Sequence, residues 1–306
     1  MPLLKSLDFL SSAARRRAIS MRVGRISRLE YGLVKVSGLS VVARIGDRVS
    51  LGKSHSLFGE VVSVSDDLVG IAVEGAITGL HIGQAVRYLG PIKLHPDERW
   101  LGRIIDGEGR PLDGRSLLQG EVGIVSAGAP PAAAERRPLG PRLQTGLTLF
   151  DTILPLVRGQ RVGVFSGSGV GKSSLLASFA RQLEADIVVI AMIGERGREV
   201  GDFVSRVLGR TGLSRSVVVV ATSEKSALER RRAAFSAMSI AEHFRDMGKH
   251  VLLLMDSVTR LAEAHREITS SSGEPTALRG HPPSMVPLLA SLTERAGPGA
   301  LGQGDI

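Results

Sequence analysis

One stretch, Gln160 to Leu183, constrains this chain more than any other. It opens with Arg161–Ser166, V-G-V-F at its centre, which has the content of a buried strand. Ser166-Gly167-Ser168-Gly169-Val170-Gly171-Lys172-Ser173 follows, and then a helical pattern over Ser174–Leu183. Strand, glycine-rich loop and helix in that order are what a phosphate-binding loop requires. The glycines let backbone N–H groups turn inward, and the helix start adds the positive end of its dipole. Ser166, Gly167, Ser168, Gly169, Val170, Gly171, Lys172, Ser173 and Ser174 are therefore the candidate nucleotide-binding residues. In such a loop Lys172 reaches the β- and γ-phosphates and the Ser173 hydroxyl ligates Mg²⁺. Ser166 stands where the strict motif has its first glycine; Gly167, Gly169 and Gly171 supply the flexibility instead.

The segments that follow place the partners of such a loop. Asp186–Met192 reads as a buried strand running into Gly194-Glu195-Arg196-Gly197-Arg198-Glu199. A carboxylate just past the C-terminal end of a parallel strand points into the ligand crevice. Glu195 is thus the candidate that orients the attacking water; its simpler reading is an acid at a helix start, since Glu199–Leu208 reads helical. Arg196 is a candidate to neutralise γ-phosphate charge, or else one half of a surface ion pair. Ser216–Ala221 is a further strand, Ser226–Met247 a long helix, and His250–Met255 a continuous apolar strand that ends in Asp256. A buried strand with a carboxylate at its exit is the element that holds Mg²⁺, so the candidate metal residues are Ser173 and Asp256. Two strands between Lys172 and Asp256 imply an α/β, RecA-like P-loop core: a parallel sheet flanked by helices.

The N-terminal part is different. Residues 21–92 read as short β-branched strands at Leu33–Val36, Val41–Ile45, Glu60–Val64, Val69–Val73 and Ala85–Leu89, separated by glycine-containing turns. That spacing suggests a small barrel or sandwich. Residues 93–145 form a connector, with a turn-dense, hairpin-like stretch at 102–114 and a Pro/Ala-rich loop at 129–138. Residues 146–306 make up the ATP-binding domain. Ahead of the barrel, Leu3, Leu7, Leu10 and Ala14 share one face of a helical arm, residues 1–20, suited to docking. The absence of cysteine excludes disulfides and thiolate metal sites. The net charge of +9 is spread along the chain, and residues 21–92 carry only Tyr31, Phe58 and Tyr88 as aromatics. Nothing there forms a stacking platform, so nucleic acid is not the expected partner.

Taken together, these motifs resemble the F1/V1 rotary ATPase superfamily. They are G-R-I-I-D-G-E-G-R-P-L-D-G (102–114), T-G-L-T-L-F-D-T-I-L-P-L-V-R-G-Q-R (145–161), the loop at 166–173, G-E-R-G-R-E-V (194–200) and L-L-L-M-D-S-V-T-R-L-A-E-A-H-R-E-I (252–268). G-S-G-V-G-K-S, G-E-R-G-R-E-V, A-E-H-F-R-D-M-G-K-H-V-L-L-L-M-D-S (241–257) and E-R-A-G-P-G (294–299) are similar to its type III export branch, the flagellar export ATPases above all. The resemblance covers roughly residues 21–304 and implies a small N-terminal β-barrel before the RecA-like core. It implies ATP and Mg²⁺ as cofactors, with roles for Lys172, Ser173, Glu195, Arg196 and Asp256. It also implies a homohexamer at full length, in the cytoplasm and peripheral to the inner membrane, energising export of flagellar proteins. The partners implied are a stator-like regulator at the N-terminal arm, a stalk protein, export substrates with their chaperones, and a membrane export gate.

The family continues past the residue that corresponds to Ile306, so the core is expected to be incomplete at its C-terminus and the C-terminal helical domain absent. The other readings open at this point are a virulence-type secretion ATPase, an F1-type ATP synthase subunit, a nucleotide-binding chain without turnover, and a transcription-termination-type motor.

Overall fold

A computed structural model describes residues 21–30, 32–52, 57–126, 128–167, 170–275, 277 and 280–306. The arm with Leu3, Leu7, Leu10 and Ala14, and loop residues Ser168 and Gly169, lie outside them. The chain divides into two compact units, one ending at Pro91 and the other spanning Ile92–Ile306.

The first unit is a closed six-stranded barrel. Its strands are β1 (Val23–Glu30), β2 (Leu33–Ser37), β3 (Arg48–Leu51), β4 (Leu57–Val64), β5 (Leu68–Val73) and β6 (Ala85–Gly90). They follow the order β1-β2-β5-β4-β3-β6, and β6 pairs back onto β1. Alternate residues Ile26, Val34, Val36, Val49, Leu51, Val61, Val69, Ile71 and Val86 fill the interior. One expected strand is corrected: Val41–Ile45 is a turn, where the N–H groups of Val42 and Ala43 both donate to Leu39 O. Val41 points into solvent at 97% exposure. Strands β1, with Arg25 and Arg28 exposed, and β3, which opens with Arg48, take the places that the apolar reading missed.

The second unit carries a parallel sheet and a short antiparallel ribbon of β7 (Lys93–Leu94) and β9 (Ile124–Val125). Strands β8 (Arg103–Ile105), β10 (Ile187–Ile193), β11 (Ser216–Ala221) and β12 (Val251–Asp256) pair in the order β12-β10-β11-β8. Val189 of β10 sits level with Val217 on one side and Leu253 on the other.

Seven helices are described: α1 (Thr148–Thr152), α2 (Lys172–Gln182), α3 (Gly197–Asp202), α4 (Gly209–Ser214), α5 (Ala227–Asp246), α6 (Val258–Ser271) and α7 (Met285–Arg295). A π-helical turn, Phe203–Leu208, links α3 to α4. Both faces of the sheet are covered, which is why its central strands are buried at every position and, Ser216 apart, apolar. Val189, Ala191, Ile193, Val217 and Val219 pack on Ala237, Ile240 and Phe244 of α5. Val188, Ile190, Met192, Val218 and Val220 face Ala177 and Ala180 of α2. Helix α5 starts at a capping box, in which Ser226 N–H donates to Glu229 Oε2 at 3.0 Å and Ser226 Oγ accepts from Glu229 N–H at 3.3 Å.

The stretch at 102–114 does turn back, with Ile105 bridging antiparallel to Pro111. Its first limb is also edge strand β8 of the sheet, which the hairpin reading did not foresee. Three contacts anchor it. Gly107 lies so close to α5 that a Cβ would sit 2.9 Å from Ala233 N, and buried Arg232 and Glu108 pair at 2.8 Å. Arg103 grips Asp113 with two hydrogen bonds of 2.6 and 2.8 Å, holding that carboxyl well below the usual range.

A second expectation is overturned at Arg161–Ser166. This segment is not a strand and is not buried: Val162, Val164 and Phe165 are all exposed, Phe165 at 96%. A parallel strand needs a neighbour, and among the described residues none pairs with it. The sheet ends instead at β12, so Leu252, Leu253 and Met255 are half-buried rather than enclosed. Among the described residues the outer edge of β12 is taken at its start, where Val251 N–H donates to Asp305 O at 2.8 Å. Arg137, in the Pro/Ala-rich loop, holds that segment through Gln303 O, Gly304 O and the Asp305 carboxylate.

Candidate active site

The C-terminal ends of β10 and β12 and the N-terminus of α2 converge on a few side chains. Helix α2 begins at Lys172, directly after Gly171, which takes a left-handed backbone conformation (φ 93°) that only glycine adopts at little cost. Ser173 and Ser174 lie exposed in the first turn, where N–H groups have no intrahelical partner. Ser166, Gly167 and Val170 are exposed as well.

Asp256, the last residue of β12, is buried, and Lys172 Nζ lies 2.7 Å from its Oδ1. The lysine of the loop and the carboxylate at the strand end, far apart in sequence, are therefore in contact. Glu195, just past β10, is half-buried beside them. Its carboxyl is pushed up, first by burial, then by the nearby charge of Asp256 and by Glu199, while Lys172 acts in the opposite sense. A carboxylate held toward neutrality next to a phosphate site is suited to accept a proton from water.

Arg196 is not brought into this group. It is exposed and pairs with Glu199 at 3.2 Å. Two residues belong to the surroundings that the sequence did not single out for this role. Glu199 shapes the charge of Glu195. Arg260, on α6, packs against Gly194: a Cβ on that glycine (φ 71°) would lie 3.0 Å from the arginine's Cβ. Arg260 pairs with Glu263 at 2.8 Å and also feels Glu195 and Glu199. Its place four residues after Asp256, one helical turn on, was the available signal.

Asp256 and Ser173 offer oxygen donors only, the chemistry preferred by a hard cation such as Mg²⁺. Asp256 Oδ1 is buried and makes no hydrogen bond, so its charge is answered by a cation alone. Among the described residues no group of three or more His, Asp or Glu forms a metal cage.

Residues 146–306 match the family model of the ATP synthase alpha/beta family, nucleotide-binding domain. The chain belongs to this family. Among members with assigned functions it is 44% identical over 288 residues to the flagellum-specific ATP synthase of Agrobacterium fabrum, an alignment covering 92% of this chain and 60% of that protein. It is 41% identical over 289 residues to the type 3 secretion system ATPase of Xanthomonas euvesicatoria, covering 93% and 65%. The chain thus spans under two thirds of the length of these ATP synthase relatives. The assembled ATPase EscN of the enteropathogenic E. coli type III secretion system superposes with a TM-score of 0.84 at 40% identity, over 92% of this chain and 68% of EscN. EscN in complex with its central stalk EscO matches equally well. The expected barrel and RecA-like α/β core are the architecture found, and nucleotide binding is a property of the family domain.

Proposed function

We propose that this chain carries the catalytic nucleotide site of a Mg²⁺-dependent, ring-forming ATPase that energises type III export of flagellar proteins. The observation that carries the reading is the convergence of Lys172, Asp256 and Glu195 at one edge of the sheet. The relatives' names add the export role.

In this reading the amides of residues 166–174 and the Lys172 ammonium hold the β- and γ-phosphates of ATP. Ser173 and Asp256 would hold Mg²⁺, which would supply positive charge against the phosphate oxygens. Glu195 orients a water in line with the γ-phosphate and takes its proton, and ADP and phosphate leave. Burial excludes competing water from Glu195 and keeps its basicity high enough for that step. Arg196 reaches the γ-phosphate only by leaving Glu199, a change asked of an exposed side chain.

The assembled state of EscN and its complex with EscO support an oligomer and a stalk protein as partners, and a homohexamer is the form proposed at full length. A stator-like regulator at the N-terminal arm, export substrates with chaperones, and a membrane gate complete the proposal. No described helix is long and apolar enough to cross a membrane. A cytoplasmic location, peripheral at the inner membrane, belongs to the same proposal.

The test is Glu195→Gln, measured on the chain extended to the length of its relatives. It keeps the shape and removes the base. Turnover should fall about 10²-fold or more, the scale of losing a general base, while MgATP affinity holds. Turnover at the parent level would remove Glu195 from the mechanism.

A further inference from the structure

The Lys172–Asp256 ion pair contributes nothing to the reaction just described, and each partner is needed elsewhere. An ammonium 2.7 Å from Asp256 Oδ1 occupies the position a divalent cation would take on that oxygen. The carboxylate end of the pair is buried, at 9% side-chain exposure for Asp256, while Lys172 is partly open to solvent at 31%. Two cations on one buried carboxylate oxygen repel each other. Asp256 Oδ1 is otherwise without a hydrogen bond, so among the described residues the Lys172 ammonium is the one group that answers this oxygen, and a buried carboxylate without compensation is costly. Glu195 lies close enough to feel Asp256, so removing the ammonium leaves two acidic groups facing one space.

We propose that Lys172 and Asp256 form an interlock that orders loading: a phosphate group must draw Lys172 away before Asp256 opens to a divalent cation. This rests on the phosphate-loop reading above and adds a direction to it. The free chain refuses Mg²⁺ alone, accepts metal-free nucleotide at the expense of the ion pair, and becomes a metal site only once nucleotide is present. Lys172 is then a placeholder for the metal as well as a phosphate ligand.

The pair can be read without nucleotide, using Mn²⁺ as the probe followed by electron paramagnetic resonance. Wild-type protein should bind Mn²⁺ weakly. Lys172→Met should bind it at least tenfold more tightly, and Lys172→Met/Asp256→Asn should lose that gain. A second arm uses ATP in excess EDTA, where Asp256→Asn frees Lys172 and should tighten binding by threefold or more. The same substitution should weaken binding of MgATP, a reversal of sign that simple damage to the fold does not produce. Wild-type Mn²⁺ affinity equal to that of Lys172→Met and abolished by Asp256→Asn would overturn the interlock, as would metal-free ATP binding that Asp256→Asn weakens. A wild-type chain that takes up no ATP in either condition sinks the nucleotide reading itself, and the ordered loading with it.

Discussion

The barrel and the nucleotide-binding sheet solve the problem of strand edges in opposite ways. In the barrel β6 returns to β1, so every strand has two neighbours and the interior is sealed by residues such as Val36, Leu51 and Ile71, each below 1% exposure. In the sheet, β10 and β11 are enclosed, while β12 is paired on one side and, among the described residues, bridged on the other near Asp305. The functional carboxylate sits at the end of that less enclosed strand, and the apolar segment 161–166 leading into the loop has no strand partner among the described residues. Closure gives stability without chemistry. The strand left half-open carries Asp256, the residue proposed to exchange a lysine for a metal.

The comparison breaks first, and most severely, at the polar contacts inside the sheet unit. Arg295, on α7, is buried and donates to Glu242 of α5 through Nε at 2.8 Å and Nη2 at 2.5 Å. Removing one partner strands a buried charge, so Glu242→Ala should cost about 3–5 kcal/mol. Chemical denaturation should show that loss in the sheet unit with the barrel's transition unmoved.

The barrel should respond next. Ile71→Ala opens a hole in a closed apolar core and should cost about 2–5 kcal/mol, with nucleotide affinity unchanged. A parallel loss of affinity would show that the two units are energetically coupled.

Acid should sharpen the contrast. His243, His250 and His265, all in the sheet unit, are held below the ordinary imidazole range, in each case first by burial. Above about pH 6.5 both folded and unfolded chains are neutral at these sites. As pH falls through that value the unfolded chain takes up protons that the folded chain refuses, so stability drops toward the lowered folded values. Melting curves between pH 7.5 and 5.5 should show the sheet unit weakening, and replacing His250 by Gln should flatten that slope.

The smallest effect belongs to the exposed segment. Phe165 is almost fully exposed, so Phe165→Ser should change stability by no more than about 0.5 kcal/mol. A large loss would mean that this residue is buried after all.

The same contrast explains what could be read from the sequence. Strands β10, β11 and β12 announced themselves because strands covered on both faces are unbroken apolar runs, and α5 because its capping residues and helical period agree. The phosphate loop and Asp256 were legible as motifs, and their contact followed once the strand order was known. Strands β1 and β3 were missed because charged residues such as Arg25, Arg28 and Arg48 dilute a one-sided pattern. Val41–Ile45 was misread because β-branched residues fill a turn there. Segment 161–166 has strand-like content, but pairing depends on a neighbour that its own residues do not specify. Buried pairs such as Arg232–Glu108 and Arg295–Glu242 join positions with no local signal linking them.

The account stands most directly on nucleotide binding through Lys172. Isothermal titration of MgATP into the purified chain and into Lys172→Ala tests it in one experiment. An ammonium on phosphate in a partly dehydrated loop should matter by at least tenfold in affinity, about 1.4 kcal/mol. The account predicts saturable binding by the wild type and at least that loss in the variant. Superimposable titration curves, or no binding by the wild type, would contradict it.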